Sequence, residues 1–247
     1  MTYCVGFFLQ EGLVLLSDTR TNAGPDNIAS FGKMNVVAPG DRVIGMMSSG
    51  NLAVTQAVAA RVIDGAGIPE GEIFNTLLTV KSMYEAAELV GAAIKHVYQS
   101  VAPSFNQQSY MFDASIILAG QIAGDRMRMF HIYAAGNFIE ATSDTPFFQI
   151  GETKYGKPIL DRVARHETPL EDAVKLALIS MDSTLRSNFS VGLPADLMVY
   201  RRDTQRIAAQ YRISEDDPYF TQIRSEWSEA LRRAYRDLPK PPWLSNS

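Results

Sequence analysis

Three short polar turns, Gln10-Glu11-Gly12, Pro39-Gly40-Asp41 and Ala123-Gly124-Asp125, each separate two apolar runs. Paired runs around a Gly-containing turn read as antiparallel hairpins, and this pattern limits the fold more than any other feature. The first turn joins residues 2–9 to 13–16, the second 34–37 to 43–47, and the third 114–121 to 127–133. Short apolar pieces follow at 137–141 and 147–150, and residues 196–201 with 206–211 make a last hairpin. Between hairpins the period changes. Leu52, Val54, Ala57, Val58 and Val62 recur at helical spacing, with Asn51 or Ser49 as the cap. Leu77, Val80, Met83, Ala87, Val90, Ile94 and Val97 predict a long helix over 76–99. Further helices are predicted over 155–164, 170–186 and 219–238, the last followed by Pro239-Lys240-Pro241-Pro242-Trp243.

The order is strands, two helices, strands, two helices, strands, helix. Two antiparallel sheets stacked face to face, with a helix pair on each outer face, would bury every apolar stripe. The expected fold class is therefore α+β: a layered αββα sandwich over residues 1–211, with 212–247 as an added helix and Pro-rich tail.

At 247 residues, 46% hydrophobic and 20% charged, the chain is in the globular range and can bury a sizeable core. Its net charge of -4 argues against nucleic acid or an anionic membrane as the main partner. The single cysteine, Cys4, excludes an intramolecular disulfide and a cysteine-based zinc cluster, and fits a reducing compartment. Residues 1–17 lack a basic n-region, and Gln10 and Glu11 interrupt the apolar run, so no leader is expected. The longest apolar segments, such as 114–120, are far shorter than a bilayer span. The expectation is a soluble, cytoplasmic protein.

Thr2 directly follows the initiator methionine. Trimming of Met1 would leave an amine and a hydroxyl on one residue. The ordinary α-amino pKa is about 7.7–8.0, so much of that amine is neutral near physiological pH. A threonine hydroxyl needs such a neighbouring base in order to attack. Position alone leaves the other role open, because β-branched residues also favour the start of an edge strand. Asp18 and Arg20 stand at the end of the second strand and Lys33 at the start of the third. A lysine near the amine would keep it neutral, and Asp18 would orient the lysine; as a surface ion pair the two would contribute little. Ser49 and Gly50 stand at a strand-to-helix junction, where free amides serve either as an ordinary cap or as donors to an oxyanion.

In order and spacing these features resemble β-type subunits of the proteasome and the HslV peptidase, within the N-terminal-nucleophile hydrolases. The resemblance runs through Thr2, the stretch Gly12-Leu13-Val14-Leu15-Leu16-Ser17-Asp18-Thr19-Arg20-Thr21, Lys33-Met34, Gly45-Met46-Met47-Ser48-Ser49-Gly50 and Ser115-Ile116-Ile117-Leu118-Ala119-Gly120. Within that family the chain looks most like the Anbu, or ancestral β-subunit, branch, through its Met-Thr start and the run from Ser17 to Gly24. The resemblance implies Thr2 as nucleophile, Asp18 and Lys33 as its partners, and the Ser49 backbone N–H as oxyanion donor. It implies a large assembly of identical subunits acting on peptide or protein amide bonds, under an unknown regulator and with no metal or organic cofactor. Ser190 fits the family's second helper serine. Two positions depart from the family: Glu152 stands where the first helper serine is expected, and Ser187 where an aspartate is usual. The rival readings are an inactive scaffold or binding subunit of the same fold and a small-molecule amidohydrolase.

Cys4 reads as a small core or pocket-wall residue. His96, His131 and His166 lack metal-ligand spacing and read as local hydrogen-bonding residues. Trp227, Leu231 and Tyr235 make an apolar stripe on the last helix, beside Arg232, Arg233 and Arg236. Such a stripe suits a neighbouring subunit.

Overall fold

A computed structural model describes residues 1–22, 28–69, 74–105 and 113–244. Ala23 and Gly24 of the run that begins at Ser17, and the last three residues of the tail, lie outside the described residues. The fold is mixed α and β. The first hairpin is β1 (Tyr3–Phe8) with β2 (Gly12–Asp18). A small ribbon, β3 (Arg20–Asn22) with β4 (Ile28–Ser30), follows; the sequence pattern does not predict it. The second hairpin is β5 (Met34–Val37) with β6 (Arg42–Gly50), which leads into α1 (Leu52–Asp64) and α2 (Met83–Phe105). Then come β7 (Ala114–Ile122), β8 (Arg128–Ile132), β9 (Phe138–Glu140) and β10 (Phe147–Gly151). Helices α3 (Lys157–Val163) and α4 (Leu170–Ser187) precede the hairpin of β11 (Ala195–Arg201) and β12 (Ile207–Ile213), and α5 (Pro218–Asp237) follows it.

The strands form two five-stranded sheets, ordered β10-β1-β2-β11-β12 and β5-β6-β7-β8-β9. Every pairing is antiparallel. Period-2 alternation sorts the side chains. Val14 and Leu16 of β2 face α3 and α4 with Tyr3, Val5 and Phe7, whereas Leu13, Leu15, Cys4 and Met198 face the second sheet and meet its Met47 and Ile117. A third cluster joins Ile44, Met46, Ile116 and Leu118 to Val54, Val58, Val62, Ala87, Val90 and Ile94 of α1 and α2. Each fully buried Leu or Ile contributes roughly 1.5–3 kcal/mol. Leu15 sits so close to the facing sheet that a Cβ at Gly45 would collide with it.

At two helix starts the structure decides what the sequence reading misplaced or left open. The long helix begins at Met83 because the Ser82 hydroxyl accepts the Glu85 N–H (3.1 Å) while the Glu85 carboxylate accepts the Lys81 N–H (2.9 Å). Leu77 and Val80 are buried with its apolar face all the same, from a turn whose carbonyls accept Arg42 Nη1 at 3.3 and 2.8 Å. The cap of α1 is Asn51, whose Oδ1 accepts the N–H groups of Ala53 and Val54. Ser49 belongs instead to β6, paired with Ser115 of β7.

The last helix is divided. Asp217 caps it by accepting the Phe220 N–H at 2.7 Å, and Phe220 and Ile223 enter the cluster beneath α4. Trp227 is half-buried, while Leu231, Tyr235 and Leu238 are exposed. Among the described residues no helix is long and apolar enough to cross a membrane.

Candidate functional site

β1 and β2 lie side by side, so the register that sets Cys4 opposite Ser17 also brings the end of β2 to the start of the chain. Asp18 is fully buried there. Its Oδ1 accepts the Tyr3 N–H at 2.9 Å and Lys33 Nζ at 2.6 Å, and its Oδ2 accepts the Gly192 N–H at 3.4 Å. Lys33 Nζ also donates to the Arg20 carbonyl, and the Lys33 carbonyl accepts the Ser48 N–H at 3.0 Å. The ammonium is thereby fixed by β2 and β3, β6 holds the backbone of the lysine, and Lys33 is only 5% exposed. Burial pushes the Asp18 carboxyl above the ordinary carboxylate range, against the pull of the Lys33 ammonium.

Thr2 is buried, and its carbonyl accepts the Glu152 N–H at 2.7 Å. The turn that makes this contact needs Gly151. Its φ is 82°, and a Cβ there would run into the Thr2 carbonyl. With Met1 in place, the Thr2 nitrogen is an amide. Burial and then the Lys33 charge hold the Met1 amine below the ordinary α-amino value, while Asp18 and Glu152 pull the other way.

The turn after α4 closes the site. Asn188 is buried, with its Nδ2 donating to Glu152 Oε2 at 2.9 Å and lying 3.9 Å from Met1 Sδ. Ser190 lies in this turn with its N–H on Asn188 Oδ1 at 2.9 Å. Arg20 holds the same turn through the Phe189 carbonyl at 3.1 Å. Ser187, in the position the family pattern gives to an aspartate, is exposed at the end of α4, and the inward-facing side chain is Asn188. Sequence reading missed Asn188. Its only local signal is that it follows the last turn of a helix.

Ser49 is buried near the end of β6. The amides of a strand point alternately to its two sides. Since the Ser48 N–H goes to Lys33 and the Asn51 N–H to Asp113, the Ser49 N–H faces β7 and the Gly50 N–H faces the Lys33 side. Cys4 lies beneath the site, its Sγ 3.8 Å from the Ser48 carbonyl; burial pushes this thiol up, which keeps it unreactive. Tyr3 turns to the helix side and donates to Ser180 Oγ at 2.6 Å. His131 pairs with Ser115 Oγ at 2.6 Å and His166 with the Phe8 carbonyl at 3.0 Å. Among the described residues, no three His, Cys, Asp or Glu side chains gather as a metal site.

No family model and no curated protein sequence matches the chain. Solved structures do. A Gly-1 mutant of Anbu from Hyphomicrobium sp. strain MC1 is 48% identical, with a TM-score of 0.89 over 98% of this chain and 99% of that one. Anbu (ancestral beta-subunit) from Yersinia bercovieri is 49% identical, with a TM-score of 0.88 over 97% and 99%. The helical assembly of the Anbu complex from Pseudomonas aeruginosa is 44% identical, with a TM-score of 0.89 over 99% and 100%.

Proposed function

The chain belongs to the Anbu family of proteasome-like subunits, and from that premise we propose that it is a threonine-type amide hydrolase whose nucleophile is Thr2 after loss of Met1. The two sheets packed on each other, with helices against the outer face of each, support reading the fold as the four-layer αββα sandwich of N-terminal-nucleophile hydrolases. The observation that carries the proposal is the buried Asp18–Lys33 pair, fixed through the Tyr3 N–H directly behind Thr2. A fixed ammonium at this place favours the alkoxide-like Oγ and disfavours protonation of the neighbouring amine.

In the reaction, Thr2 Oγ attacks a peptide carbonyl as its proton passes to the α-amine. The developing oxyanion meets the Gly50 N–H, which faces the Lys33 side, in place of the expected Ser49 N–H, which is turned to β7. The amine then protonates the leaving nitrogen, and water releases the acyl group. Ser190 supports the turn that borders the amine. The chemistry needs only side chains and water. Substrates are peptides or proteins, and the protein works in the cytoplasm as an assembly of identical subunits. Residues 212–247 form a subunit contact through the exposed second half of α5.

A β-lactone or epoxyketone probe should add its mass to the peptide that begins at Thr2, and Thr2→Ala should abolish that labelling. Labelling that persists in the alanine variant overturns the assignment. The alternative, a scaffold subunit of the same fold, draws support from Glu152 and Ser187, which stand at the two positions that depart from the family pattern. That reading requires retained Met1 and no labelling in the purified protein.

A further inference from the structure

Glu152 has no part in the hydrolysis as laid out above, yet it is a carboxylate only 6% exposed at the start of the chain. Oε1 accepts the Lys154 N–H at 3.1 Å and Oε2 accepts Asn188 Nδ2 at 2.9 Å. Its own N–H holds the Thr2 carbonyl. The Asn188 amide is oriented from its other end by the Ser190 N–H, so Nδ2 is the group turned toward Glu152 and Met1. Among the described residues no Lys or Arg side chain pairs with Glu152. A buried carboxylate held only by neutral donors is costly, and a cation within reach relieves it. The positive group in its field is the Met1 amine, which also faces Asp18 from β2 and Lys33 from the edge of β5; loss of Met1 would put the amine on Thr2, whose carbonyl the Glu152 N–H already holds at 2.7 Å. Asp18 is already taken by Lys33, Tyr3 and Gly192.

We propose that Glu152, braced by Asn188, is a positioning residue that holds the α-ammonium of Thr2 once Met1 is gone. The inference rests on the N-terminal threonine reading. As the Oγ–carbon bond forms and the carbonyl π electrons move to oxygen, the hydroxyl proton goes to the amine. The Glu152 carboxylate steadies the resulting ammonium. When the carbon–nitrogen bond of the substrate breaks, that proton leaves with the amine product. A carboxylate in this place favours the charged amine, so it also raises the pH at which the amine becomes a free base.

The test uses a chain released at Thr2 from a cleavable fusion, and follows carbamylation of the α-amine by cyanate against pH by mass spectrometry of the N-terminal peptide. Cyanate reacts with the neutral amine. Glu152→Gln should move the reactivity midpoint down by about one pH unit, and Asn188→Ala should move it the same way by less. Asn188→Asp adds a second carboxylate beside the amine and should move the midpoint up, which keeps the test open if Glu152→Gln does not fold. Unchanged midpoints in folded Glu152→Gln or Asn188→Asp overturn the proposal. Probe labelling of Thr2 is scored separately. A shifted midpoint without labelling refutes the hydrolase reading and leaves the Glu152 assignment, and labelling without a shift does the reverse.

Discussion

Near the start of the chain, Asp18 and Lys33 are charged and buried; near its end, Leu231, Tyr235 and Trp243 are apolar and exposed, the last two by 79% and 80%. Both arrangements run against the ordinary sorting of residue types. In the first case the neighbouring backbone supplies what is missing. Three elements contribute donors or acceptors around the Asp18–Lys33 pair, so the charges leave water without losing partners. In the second case the apolar side chains stay open to solvent among the described residues, although the same helix buries Phe220 and Ile223 two to three turns before Leu231. The division within α5 locates where the subunit's own core ends. On the proposed reading, an unusual residue placement points inward to chemistry at one end of the chain and outward to a neighbour at the other.

Breaking the buried pair is the harshest test of this contrast. Asp18→Ala leaves Lys33 charged and without its carboxylate, and should lower unfolding stability by about 3–5 kcal/mol in urea titration. A loss below about 1 kcal/mol, as for an exposed pair, would remove the distinction between this site and the surface. Lys33→Ala should slow acylation of Thr2 by roughly a hundredfold, about 2.7 kcal/mol of barrier, with no rescue in Lys33→Arg. Equal labelling rates in all three proteins would reduce the lysine to an architectural ion pair. The smallest effect on folding belongs to the other end. Leu231→Ser should change unfolding stability by no more than about 0.5 kcal/mol while lowering the mass of the assembly in sedimentation. Truncation before Leu231 should do the same, since it keeps Phe220 and Ile223. A truncated chain that still forms the full-size assembly would take the tail out of the interface.

The hairpins were legible because turn chemistry is local: Pro39-Gly40-Asp41 and Ala123-Gly124-Asp125 specify their geometry within a few residues. The ribbon of β3 and β4 was not, because each strand has three residues and no alternation to read. The start of α2 was misplaced because Leu77 and Val80 are buried at helical spacing from a turn, and periodicity alone does not distinguish the two. Thr2, Asp18 and Lys33 could be singled out from order and residue type. The bond between Glu152 and Asn188 could not, since it spans 36 positions and depends on which side chain of a turn points inward. The direction of the Ser49 amide likewise depends on β6 running three residues past Met47, its last apolar residue, a matter of pairing with β7 rather than of composition.

The close approach of the two sheets at Leu15 has a consequence for how this sequence can drift. One methyl of Leu15 occupies the space a Cβ at Gly45 would need, and the other stands 3.0 Å from where a Cβ at Gly6 would lie. A side chain at either glycine would force Leu15 to shift, with Met129 at Gly6 and Met198 at Gly45, and trimming the leucine alone leaves a void between the sheets. The three positions form one packing unit, spread over both sheets and nearly 40 residues of chain. A lineage that departs from it must change them together or pass through a poorly packed intermediate.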